Sequence, residues 1–113
     1  MILSMLKIKP LPEKKQEVIE ILKSLQKELL MIHDCLGSEI YQALEPESNI
    51  FFLEQWRKKE ALYRYIGSDL YMRVLTVMEL AAESPEVIFP EVTDASGMDL
   101  ISKLRQGSTG GEF

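Results

Sequence analysis

Cysteine, histidine and tryptophan each occur once in this 113-residue chain. A lone cysteine, Cys35, excludes an internal disulfide and fits a reducing compartment, so the expected location is the cytoplasm. One histidine, His33, and one cysteine cannot assemble a usual zinc site, and neither HExxH nor paired CxxC occurs, so no metal site is expected. A Gly-rich phosphate loop and a dinucleotide fingerprint are also missing. No apolar run approaches the roughly eighteen residues that span a bilayer, and no membrane partner is expected. The opening MILSMLKIKP has neither a basic leader nor a cleavage site, which argues against a signal peptide. Basic residues are outnumbered, 13 against 18 acidic ones, for a net charge of −5. That balance argues against a nucleic-acid partner, which would demand a basic footprint. His33 and Cys35 do not make a nucleophile pair, because side chains two apart on a helix do not face each other and no third group orients them. His33 reads instead as a cation set against the negative end of a helix dipole.

What is present is an ordinary globular chain, 46% hydrophobic and 27% charged. A domain of this size buries roughly two thirds of its unfolded surface. Residues 1–93 read as one domain, and 94–113 as an extension. Ile2 to Lys9 alternates with period two and predicts a strand, which Pro10 and Pro12 end. From Glu13 to His33 the period becomes helical, with Val18, Ile21, Leu22, Leu25, Leu29 and Ile32 as one apolar stripe. Gly37 to Glu45 predicts a second strand, and Glu45–Asn49 a turn by composition. Ile50 to Trp56 then returns antiparallel. Both faces of this segment are largely apolar, Ile50, Phe52, Glu54 and Trp56 on one and Phe51, Leu53 and Gln55 on the other. It is therefore a central strand, with something packed on each side.

A second helical region breaks near Ile66-Gly67, with Ser68 as its N-cap and Leu70, Val74, Val77, Met78 and Ala81 as its stripe. Ser84-Pro85 stops it, and Val87–Phe89 is a short last strand that Pro90 holds to an edge. Strand, helix, strand, strand, helix, strand is the split βαβ, ferredoxin-like order of an α+β fold, with a four-stranded antiparallel sheet. Helices on one face leave the other apolar and uncovered, and a second copy is the plain solution, so a homodimer is expected. Asp94–Gly97 reads as a linker, Met98–Gln106 as a turn or two of helix, and 107–113 as a flexible tail.

Glu54-Gln55-Trp56, then Lys59-Glu60-Ala61-Leu62, Tyr65, Ser68 and Tyr71, form a pattern that resembles the antibiotic-biosynthesis monooxygenase domain. The similarity in element order covers about residues 2 to 92. It implies a dimeric α+β barrel whose short helix roofs a cavity over the sheet, with the tryptophan beneath. Many members carry a histidine where this chain has Tyr65, so that histidine's role does not carry over. Relatives of this kind oxygenate phenolic or quinol-like substrates with no cofactor, and the resemblance implies such an activity on a small aromatic here. Related barrels that degrade heme use a histidine on the iron. Tyr65 stands at what looks like that position, and no heme is expected.

The physical logic of that chemistry is simple. An electron-rich phenolate reduces oxygen by itself, and the protein has only to remove a proton, hold the anion and exclude water. Trp56 and Tyr65 are the expected catalytic pair, and Tyr71, Arg64, Gln42 and Glu54 the expected substrate contacts. On the Trp56 face, burial would raise the Glu54 pKa and suit it as a base. Its simpler reading is a surface-edge carboxylate paired with a basic neighbour. The bland reading of Trp56 is core packing. The alternative to an enzyme is a ligand-binding or sensory barrel, or a dimerisation module with a filled pocket.

Overall fold

The computed structural model describes residues 1–93 and 96–106. Among these, β1 (Ile2–Ile8), β2 (Cys35–Gln42), β3 (Ile50–Trp56) and β4 (Glu86–Ile88) form one antiparallel sheet in the order β2-β3-β1-β4. β3 pairs along its length with both neighbours, from Ile2↔Trp56 to Ile8↔Ile50 on one side and from Cys35↔Trp56 to Gln42↔Ile50 on the other. The central place expected for Ile50–Trp56 is observed. β4 lies at the edge against β1, and a bulge between Cys35 and Gly37 shifts the β2 register.

α1 (Lys15–Leu29), α2 (Lys59–Ile66) and α3 (Met72–Glu79) belong to the same unit. α1 buries Val18, Leu22, Leu25 and Leu29, a four-three-four spacing that keeps one stripe on the sheet. Four such side chains contribute about 1.5 to 3 kcal/mol each. They meet Ile2, Leu6, Ile8, Ile50, Phe52 and Trp56 from the strands, and Val74 and Val77 from α3. The result is the α+β ferredoxin-like fold expected from the element order.

Several boundaries move. α1 begins after a 3-10 turn at Pro12–Lys14 and stops at Leu29, so His33 lies in the following turn and not on the helix. Ile21 and Ile32 are only partly buried. β2 starts two residues earlier than expected and ends at Gln42. Ser68 does not cap with its side chain; its hydroxyl donates instead to the Tyr65 carbonyl at 2.6 Å. α3 ends at Glu79, ahead of Ser84-Pro85.

The outer sheet face is mixed, an apolar strip with Glu39, Lys7 and Glu86 in the same rows. Leu53, Met5 and Ile88 line up in one cross-strand row, with Phe51 and Tyr41 in the next. Tyr41 and Ile88 are 53% and 56% exposed. α4 (Met98–Gln106) is helical as the apolar spacing suggested, yet it buries no residue within its own chain. Asp94, Ala95 and the expected tail at 107–113 lie outside the described residues.

Candidate functional site

Along β1 and β3 the inward positions are apolar with two exceptions. Ser4 interrupts Ile2, Leu6 and Ile8, and Glu54 interrupts Ile50, Phe52 and Trp56. The register sets Ser4 opposite Glu54, so the two polar residues meet in the middle of an apolar face. Both are buried, Glu54 to 1% exposure. A carboxylate there is costly unless donors meet it, and three do. The Tyr65 hydroxyl donates to Oε2 at 2.6 Å, the Trp56 indole N–H to Oε1 at 3.4 Å, and the Ser4 hydroxyl also bonds it. The reading of Glu54 as a surface-edge carboxylate is therefore wrong. Its neighbours are aromatic rings and a serine, and no basic side chain is among its hydrogen-bond partners.

Two elements bring the aromatic groups to this carboxylate. Trp56 ends β3 on the same face as Glu54, since alternate residues of a strand share a face. α2 follows within three residues and folds back, so that Ala61, Leu62 and Tyr65, at three- and four-residue spacing, face the sheet. The rings of Trp56 and Tyr65 stack with centroids 4.9 Å apart and planes at 26°. Tyr71, from the 3-10 turn Asp69–Tyr71, meets Tyr65 edge-on at 5.1 Å.

Burial dominates the electrostatics. Desolvation raises the Glu54 pKa, and the bonds from Tyr65, Trp56 and Ser4 only partly oppose it. Tyr65 is pushed far up, first by burial and then by the adjacent Glu54, which disfavours a second negative charge. Tyr71 moves the same way for the same two reasons. The half-buried Cys35 thiol is also raised, chiefly by burial. None of these tyrosines is a ready anion. Glu54 is the group whose carboxyl holds its proton more tightly than an ordinary glutamate does, because burial disfavours its charge.

Beside this cluster lies a partly open cavity of about 370 Å³, lined by Ile32, His33, Asp34, Trp56, Ala61, Arg64, Tyr65 and Ser68. It exceeds the roughly 300 Å³ at which small-ligand pockets begin. Trp56 and Tyr65 thus share one cavity wall, Arg64 stands at the same cavity, and Glu54 lies behind the wall. Tyr71 supports Tyr65 from behind and is not part of the lining. Gln42 is elsewhere. It pairs with Ile50 at the opposite end of the β2–β3 ladder from Trp56, and its amide donates to the Glu47 carbonyl at 2.7 Å within the hairpin. The expectation that it contacts substrate is corrected by that register.

Sequence reasoning missed Ser4, Asp34, and His33 as a cavity residue. Ser4 carried a readable signal, a lone polar residue on an otherwise apolar strand face. His33 and Asp34 carried none, because the end of α1 was placed too late. Among the described residues no three His, Cys, Asp or Glu side chains converge as metal ligands. No described helix is long and apolar enough to cross a membrane.

The fold matches a known class. The family model for antibiotic biosynthesis monooxygenase matches residues 1–75. The chain belongs to that family. A conserved protein from Methanosarcina mazei Go1 is 28% identical, with 80% of this chain and 90% of that one covered and a TM-score of 0.74. Rv0793 from Mycobacterium tuberculosis is 18% identical over 84% of this chain and 97% of that one, TM-score 0.76. A structure described as an antibiotic biosynthesis monooxygenase is 15% identical over 83% and 100% of the two chains, TM-score 0.73. A search of curated proteins found no match.

Proposed function

We propose that the cavity beside Trp56 and Tyr65 binds a small phenolic or quinol-like aromatic and that the protein oxygenates it with molecular oxygen, without a cofactor. The observation that supports this best is the buried Glu54 carboxylate, held 2.6 Å from the Tyr65 hydroxyl behind the cavity wall. Membership of the monooxygenase family supports the reaction class. In the proposed step the substrate hydroxyl gives its proton to the Tyr65 oxygen while the Tyr65 proton passes to Glu54. Tyr65 never has to carry charge, which its surroundings disfavour. The phenolate then gives one electron to oxygen, and the radical pair closes a carbon–oxygen bond. The peroxide O–O bond breaks as the ring C–H hydrogen leaves on the outgoing oxygen, and hydroxide takes the proton back from Glu54. Phenol and oxygen become quinone and water, with atoms and electrons in balance.

Oxygen uptake against a panel of phenols and quinols tests the proposal. Saturable uptake that Glu54→Gln removes supports it. If ligands quench Trp56 fluorescence yet no panel member drives uptake, the protein is a binding or sensory barrel.

We propose further that two copies pack their outer sheet faces together to complete the barrel. The row of exposed Met5 and Ile88 with half-buried Leu53 supports this, because contiguous apolar surface open to solvent marks an interface. The free, half-buried Cys35 thiol suits the cytoplasm as its setting.

A further inference from the structure

The net charge of the chain is −5, yet the cavity lining includes a cation that no acidic side chain among the described residues pairs. Four polar side chains line the cavity: His33, Asp34, Arg64 and Ser68. Asp34 is already engaged by Arg57 at 3.7 Å, and Ser68 donates to the Tyr65 carbonyl. Arg64 has no acidic partner among the described residues. Glu60, one helical turn earlier, is not within ion-pair distance of it. Arg64 sits in the last turn of α2, where a cation is favoured by the helix dipole, and lines the cavity with Tyr65. The same cavity therefore presents an aromatic wall backed by a proton acceptor, and an unpaired guanidinium at its rim. A neutral phenol would use only the first.

Resting on the reading above, we infer that the ligand is an aromatic acid, a phenol carrying a carboxylate, and that Arg64 binds the carboxylate and so sets specificity. The geometry separates the two ends of such a ligand. The carboxylate stays at the solvent side on Arg64, and the ring lies against Trp56 and Tyr65 with its hydroxyl inward. That orientation also keeps the ligand's negative charge away from Glu54. A planar guanidinium pairs with a carboxylate through two parallel hydrogen bonds, which no neutral amide can reproduce. An unpaired cation at the opening of an acidic protein also favours an anionic ligand there.

Trp56 is the single tryptophan of the chain and lines the cavity, so its fluorescence reports occupancy without any turnover. Para-hydroxyphenylacetate and its amide, titrated in oxygen-free buffer, differ only in the charged group. The acid is expected to bind about tenfold more tightly, and the advantage to shrink with added salt. Arg64→Met keeps the helix and the aliphatic stem and is expected to bring the acid-to-amide ratio to about one. Lys59→Gln, which removes a charge from the same helix outside the cavity, is expected to leave the ratio as it was. Equal binding of acid and amide by the natural protein overturns the inference while the aromatic cavity stands. An acid preference that survives Arg64→Met also overturns it. Quenching by neither ligand overturns both the inference and the reading beneath it.

Discussion

The Tyr65 hydroxyl meets Glu54 Oε2 at 2.6 Å, joining α2 to the central strand through a buried hydrogen bond across eleven residues of sequence. This contact makes the site and the core one object. Removing the Tyr65 hydroxyl therefore touches stability as well as function. With Tyr65 4% and Glu54 1% exposed, it also strips a buried acceptor of its shortest donor.

Tyr65→Phe is accordingly expected to cost about 1 to 3 kcal/mol of stability, the range for a buried group left without a partner. Turnover should fall about tenfold or more, since the relay from substrate to Glu54 is cut. Chemical denaturation and oxygen uptake measure the two separately. Stability within a few tenths of a kcal/mol of the natural protein would show that the hydroxyl is not bonded as described.

Trp56 gives a second expectation. It borders the cavity, yet it is fully buried and stacked on Tyr65, so truncation removes core contacts as well as part of the cavity wall. Trp56→Ala is expected to cost about 3 to 5 kcal/mol, and to unfold a domain of ordinary stability. Trp56→Phe retains the stack and should fold, with its loss confined to the missing indole N–H and volume. A mild Trp56→Ala in thermal melts would mean that the cavity extends beneath the ring.

Much of this was legible in the primary structure. Period-two alternation over Ile2–Lys9, the run Ile50–Trp56 with two largely apolar faces, the stripe from Val18 to Leu29, and the Glu45–Asn49 turn determined the element order and the central strand. The aromatic pattern through Tyr65 and Tyr71 marked the right end of the sheet. What stayed hidden depended on register and on helix ends. Whether Glu54 faced water or the core turned on which residue of β1 stood opposite, and that residue, Ser4, is fixed by long-range pairing. Gln42 looked equivalent to other polar strand residues until the hairpin register carried it to the far end. His33 entered the cavity because α1 stops at Leu29, and nothing local after Leu29 announces a stop: no glycine or proline follows until Gly37.

The proposed dimer has its own test. Leu53 sits mid-strand on the outer face, between Met5 and Glu39. Light scattering after gel filtration at micromolar concentration is expected to give twice the 13.0 kDa chain mass. Leu53→Glu is expected to give the monomer, because like surfaces would then bury paired charges without partners. A natural chain that elutes as a monomer at that concentration would remove the barrel.

The last expectation concerns pH, and its sign follows from Glu54. Burial raises its pKa in the folded protein above the ordinary glutamate value of about 4.3. Between those two values the folded state holds more protons than the unfolded state, so stability falls as pH rises through the interval. Below it, the neutral carboxyl is comfortable in the core; above it, the fold bears a buried charge. Activity should run the other way, because only the ionised carboxylate accepts the substrate proton. Stability is therefore expected to decline, and turnover per substrate encounter to climb, over the same stretch of pH. Glu54→Gln keeps the shape, removes the titration and should flatten the stability slope. It should also abolish turnover at every pH. Urea denaturation at a series of pH values, set beside kcat/KM at the same values, reads both curves. A stability slope that persists in Glu54→Gln would assign the titration to another group, and an activity limb that persists would remove Glu54 as the base.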